Sequence, residues 1–179
     1  MAKAGGGTGR GGGGPPAGSA MARYEELVAD YKRESAAVFT PGGQLIGKVP
    51  AYNRDFAQFP KELRDQMAGN IVVHNHIGGA PFSSADLANL GKYNPKQIVV
   101  VGRTPSGTRY RYALSTRPGT SWPSWDRARS TFDAAVKRNP LPNAGGTRAQ
   151  YVEALSRHYH GIWKDVAGTL GLSYSRRTF

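Results

Sequence analysis

The chain contains no cysteine among its 179 residues. That absence excludes disulfides, thiolate nucleophiles and cysteine-bound zinc together, so any metal must be held by histidine and carboxylate. Long apolar runs are missing as well. No segment approaches the roughly 20 apolar residues that span a bilayer, and the first residues lack the apolar stretch of a secretory signal. These absences give the expectation of a soluble, cytoplasmic protein without membrane contact. Acid is scarce: 12 Asp and Glu stand against 24 Lys and Arg, a formal net charge of +12. So basic a surface attracts polyanions, which makes non-specific nucleic-acid contact a partner class to consider beside the simpler reading of a solvated surface. The basic residues are scattered, however, with no run of five or more.

What is present begins with glycine. Residues 1–20, MAKAGGGTGRGGGGPPAGSA, have little apolar surface to bury against the entropy of ordering, which predicts a disordered arm. The glycines follow no strand and lack a Gly-Lys-Ser/Thr ending, so they are not a phosphate loop. Beyond the arm, Tyr24, Leu27, Val28 and Tyr31 have helical spacing, and residues 35–48 read as a hairpin around Pro41-Gly42-Gly43. A helix is expected over 60–69, a buried strand at NIVVHNH and a helix capped by Ser83 or Ser84. Strands follow at QIVVVGR and RYRYALS. Two helices, roughly 123–138 and 147–169, are expected to finish the chain. The order predicts an α/β fold, with one mixed central sheet flanked by helices. Its core is expected over 21–115, followed by a C-terminal helical extension over 116–179.

The stretch HNHIGGAPFSSAD, residues 74–86, carries the chemistry. Residues two apart on a strand share a face, so His74 and His76 project together. Imidazole is the commonest zinc ligand, and two from one strand make half of a site. Gly78 and Gly79 let the chain fold back and bring Asp86, in the first turns of the next helix, towards the pair. Two histidines, one aspartate and a water complete a tetrahedral catalytic zinc site. Asn75 points the other way and is not a ligand.

His-x-His, a glycine-containing loop and then Ser83-x-x-Asp86 resemble the signature of JAB/MPN (JAMM) metalloproteases. Upstream, RESAAVFTPGGQLI resembles the segment of RadC-like JAB domains that runs from a glutamate into the first strand. The likeness spans roughly residues 33–114, making 21–115 a JAB-like metal-binding core with cytidine-deaminase-like layering. It departs from the common pattern in having Ile77 where proline is usual. The gap of nine residues between His76 and Asp86 is one shorter than common. That gap, with Phe82 before Ser83, is similar to variants in phage head-associated and toxin-like proteins.

The resemblance implies Zn2+ held by His74, His76 and Asp86, with Glu34 as catalytic base and then acid. Ser83 would stabilise the oxyanion of the tetrahedral intermediate. The implied activity is hydrolysis of a protein or peptide substrate, at a peptide or isopeptide bond. Two other functions compete: a JAB-fold protein without catalysis that serves assembly or nucleic-acid contact, and a metal-dependent nuclease. Other residues carry simpler expectations. Glu25 and Glu26 belong to a solvated helix face, and Glu62 answers a helix dipole. His158 and His160 stand about 200° apart on a helix, so they do not share a metal. Trp122, Trp125 and Trp163 are expected to pack the C-terminal helices on the sheet.

Overall fold

The β-branched runs form the centre of one sheet. A computed structural model describes residues 14–49, 59–143 and 145–179, and thirteen of the twenty residues of the expected arm lie outside that range. Residues 14–19 form a turn, in which Ser19 N donates to Pro16 O at 3.0 Å. Helix α1 (Ala20–Val28) starts there, with Ser19 accepting from Ala22 N as its N-cap. It is shorter than its periodicity suggested, because the chain must leave it to enter strand β1 (Ala36–Phe39). Strand β2 (Leu45–Val49) returns as the expected hairpin partner. Helix α2 (Lys61–Arg64) is also short. Residues beyond it are drawn into another segment, where Ala68 bridges Pro95 and Gly69 N donates to Asn94 O.

Strand β3 (Ile71–Asn75) is buried along its whole length, and helix α3 (Ser84–Gly91) crosses from it to strand β4 (Gln97–Arg103). A crossover connection places β3 and β4 parallel, while every other pairing in the sheet is antiparallel. Strand β5 (Arg109–Thr116) follows by hairpin. Helices α4 (Trp125–Arg138) and α5 (Arg148–Leu170) come next, close to their expected bounds. The expectation that helices finish the chain is corrected at this point. Gly171 caps α5, and Leu172–Thr178 form strand β6, antiparallel to β5 from Leu172↔Thr116 to Thr178↔Tyr110. The segment expected as a helical extension therefore supplies an edge of the same six-stranded sheet, ordered β2-β1-β3-β4-β5-β6. Its signal is a half-polar alternation (Leu172, Tyr174 and Arg176 against Ser173 and Ser175) too weak to read beside a long helix.

The sheet separates two cores. On one face Val38, Val72, Ile98, Val100, Tyr112 and Leu114 meet Leu87 and the α5 residues Ile162, Trp163, Val166 and Leu170. On the other, Ala37, Phe39, Val73, Val99, Val101 and Ala113 meet Met21 and Val28 of α1. Trp122 and Trp163 are buried as expected. Trp125 is not: it lies 43% exposed at the start of α4. The solvated face expected for α1 is corrected too. Glu25 is buried and faces the buried Arg111 of β5, whose Nε lies 3.0 Å from both carboxylate oxygens. Among the described residues no helix is long and apolar enough to cross a membrane.

Candidate metal centre

His74 shares with Val72, two residues before it, the face of β3 that packs on α3 and α5, and is buried. β1 places the small Ala36 opposite His74, and β4 places Val100 beside it. His76 leaves the strand with its backbone N–H on Val101 O at 2.9 Å, so the pair remains sheet-anchored. The chain then turns through Gly78 and Gly79, at φ 81° and 73°, conformations that side chains resist. This turn lies directly on β4. A Cβ on Gly102 would stand 2.4 Å from His76 O. Glycine inside a β-branched strand is the sequence mark of such a close backbone approach, and here it falls beside the site.

Helix α3 delivers Asp86. Ser83 Oγ accepts from Asp86 N at 3.1 Å, and Asp86 Oδ2 accepts from Ser83 N at 2.6 Å, a reciprocal cap. The Ser83 hydroxyl also donates to Asp86 Oδ2 at 2.8 Å. The result is a compact triangle. His74 Nε2 lies 3.1 Å from Asp86 Oδ1, His76 Nε2 lies 3.3 Å from Oδ2, and the two Nε2 atoms are 3.2 Å apart. His74, His76 and Asp86 could hold a metal ion, and they form a buried group with all three ligand atoms within 4.8 Å.

Protons and charge fit that description. His76 Nδ1 lies 2.8 Å from Pro81 O, an acceptor only, so Nδ1 carries a hydrogen and leaves Nε2 for the centre. His74 Nδ1 is buried without a hydrogen-bond partner. Burial alone would push the His76 imidazole down. The Asp86 carboxylate, with help from Glu34 and Pro81 O, reverses this and holds it up at about 9. Burial likewise opposes the Asp86 charge, and the two imidazoles hold that carboxyl well below its ordinary range. With both Nε2 atoms protonated, two donors would face each other across 3.2 Å. A shared cation removes that conflict.

A pH dependence follows for the metal-free protein. His76 is raised from 6.5 to about 9 on folding, so its contribution to stability is full below pH 6.5. That contribution is lost as pH rises through about 9. Asp86 is lowered, so its share persists until pH falls far below 3.8. Denaturant midpoints measured in chelator at pH 6, 8 and 9.5 are therefore expected to decline in that order. Pairwise electrostatics at the site would be refuted by midpoints that stay level in chelator.

Glu34 is half-buried, two residues before the start of β1. Extending the pairing of Ala36 with His74 by two residues sets Glu34 opposite His76. Its charge reaches His76, as the raised imidazole records. The structure thus brings together all five residues expected at the site, with Ser83 exposed at its rim. His158 and His160 do not join them, and His160 Nδ1 meets Tyr174 OH at 2.8 Å instead.

Sequence reasoning missed the clamp on the turn between the ligands. Gly79 O accepts from Tyr112 OH at 3.0 Å and from Ser156 Oγ at 3.1 Å, while Trp163 Nε1 donates to Phe82 O. All three donors come from β5 and α5. Comparison with models of known families, with curated proteins and with solved structures gave no match.

Proposed function

We propose that this protein is a zinc-dependent hydrolase of peptide or isopeptide bonds, with a site of the JAB/MPN (JAMM) type. One observation carries the reading: two imidazole Nε2 atoms stand 3.2 Å apart, one 3.1 Å from Oδ1 and the other 3.3 Å from Oδ2 of the same buried carboxylate. A tetrahedron with zinc–ligand bonds of about 2.0–2.1 Å has edges about 1.6 times longer, near 3.3–3.4 Å. The Nε2–Nε2 separation of 3.2 Å stands almost at that length, and a single oxygen of the Asp86 carboxylate lies within 4.8 Å of a ring nitrogen of each histidine. Three protein ligands also leave a fourth position for a water or substrate, as catalytic rather than structural zinc requires. The motif His-x-His, Ser-x-x-Asp with an upstream glutamate adds the resemblance to JAMM proteases.

Bound there, zinc would acidify a water towards neutrality and polarise a carbonyl. The chain's own residues would do the rest. Glu34, across from His76, accepts a proton from the attacking water at its carboxylate and returns it to the leaving nitrogen. Pro81 O fixes the His76 tautomer, and Ser83 fixes the Asp86 carboxylate through its backbone N–H and hydroxyl. For Ser83 to donate to an oxyanion, its hydroxyl must first turn away from Asp86.

The test compares metal content in wild type and a His74→Ala, His76→Ala double variant, both purified without a histidine tag. The expected result is about one zinc per chain in the wild type and none in the double variant. The same wild-type protein is expected to cleave members of a synthetic peptide pool in a chelator-sensitive way, read by mass spectrometry. A wild type that takes up no zinc when it is supplied would overturn the proposal.

A further inference from the structure

Asn75 stands between the two histidines and is completely buried. Strand alternation turns its side chain to the opposite face of β3 from His74. There its carboxamide makes two bonds to one neighbouring segment. Oδ1 accepts from Ser35 N at 2.7 Å, and Nδ2 donates to Arg33 O at 3.0 Å. The groups it grips lie on either side of Glu34. Backbone pairing adds a weaker tie, Asn75 N to Ser35 O at 3.3 Å. Ser35 Oγ is held in turn by Tyr24 OH at 2.8 Å and by Val49 O at 3.2 Å.

These contacts fall just outside the regular ladder, which begins at Ala36. Without them, residues 33–35 would be a strand end with little to fix its direction. With them, Ser35 is tied on the Asn75 side of the sheet, and alternation sends the Glu34 side chain towards the side that carries the histidines. Asparagine suits the task because one rigid amide offers an acceptor and a donor together. Aspartate keeps the acceptor and loses the donor; alanine loses both.

We propose that Asn75 is a positioning residue for Glu34, so that strand β3 fixes the base from its back face while presenting the ligands from its front. The inference rests on the reading of Glu34 as the base. Because His74, Asn75 and His76 are consecutive, base and ligands share one rigid piece of backbone. Any displacement of that strand carries both along.

The experiment uses acetohydroxamate, a small zinc-chelating acid that offers a hydrogen bond to a neighbouring carboxylate, titrated into zinc-loaded protein. Glu34→Gln and Asn75→Ala are each expected to bind it about tenfold more weakly than wild type, the size of one lost hydrogen bond to a charged group. Zinc content should be unchanged in both. The double variant is expected to bind no more weakly than Glu34→Gln alone, because Asn75 acts only through Glu34. Should Asn75→Ala fail to fold, Asn75→Asp serves in its place, since it preserves shape and the Ser35 contact while setting a carboxylate against Arg33 O. Losses that multiply in the double variant would overturn the positioning role, as would wild-type affinity in zinc-loaded Asn75→Ala. Zinc-loaded Glu34→Gln with undiminished affinity would instead overturn the assignment of Glu34, and Asn75's role with it.

Discussion

Glu34→Gln protein is expected to hold zinc as wild type does and to lose peptide cleavage by roughly 100- to 10,000-fold, the span that a positioned acid–base group contributes. The substitution keeps the shape of the side chain and removes only its ability to take a proton. Glu34 is not one of the three residues forming the ligand triangle, so metal content is the internal control. The variant also removes a negative charge that supports the raised His76 imidazole. Its metal-free form should therefore lose the His76 contribution at lower pH than wild type, whereas a misfolded variant would lose zinc at every pH. Cleavage of the peptide pool is the decisive reading. Turnover within a few-fold of wild type, in zinc-loaded protein, would show that the proton passes through another group.

Much of this site could be read before any coordinates, because its parts are local. Strand alternation alone aligns His74 with His76, and the Ser83–Asp86 cap is an i, i+3 relation that sequence displays. The β-branched runs at Ile71–Asn75 and Gln97–Arg103 likewise announced two buried strands, whose parallel pairing the structure adds. What stayed hidden depends on residues far apart in the chain. Glu25 looked like one more surface acid on a helix, since nothing near it hints at Arg111, 86 residues later. The clamp on Gly79 and Phe82 was invisible for the same reason, and so was β6, whose half-polar alternation gains meaning only beside β5. Asn75 lies on the opposite face of β3 from His74, where it bonds Ser35 N and Arg33 O. Its work lies on the face that a search for ligands ignores.

Arg111→Ala is expected to destabilise the protein by about 3–5 kcal/mol, the cost of leaving a buried charge without its partner. Glu25 and Arg111 are respectively 2% and 1% exposed, so water cannot replace the lost guanidinium. Burial opposes the charge on both groups, raising the carboxyl and lowering the guanidinium, and their mutual contact offsets it. Domains are stable by only about 5–15 kcal/mol, so this one substitution should remove a large share. Arg177, 3.9 Å from Glu25, is partly exposed and can compensate only in part. A paired Glu25→Leu, Arg111→Met replacement is expected to recover most of the loss, because neither ion then remains buried alone. Denaturant unfolding of zinc-loaded protein checks both variants. A loss below about 1 kcal/mol for Arg111→Ala, the range of a surface pair, would show that Glu25 finds another partner or a proton at little cost.

The clamp between the metal-site turn and helix α5 also orders events in time. The contacts on Gly79 and Phe82 come from Ser156 and Trp163, 77 and 81 residues downstream. At about 5–20 residues per second of synthesis, both histidines exist for several seconds before the chain that braces them has been made. A nascent chain would then meet free metal with only half of its grip in place. On the proposed reading, firm metal loading would be a late step, completed when α5 closes over the turn.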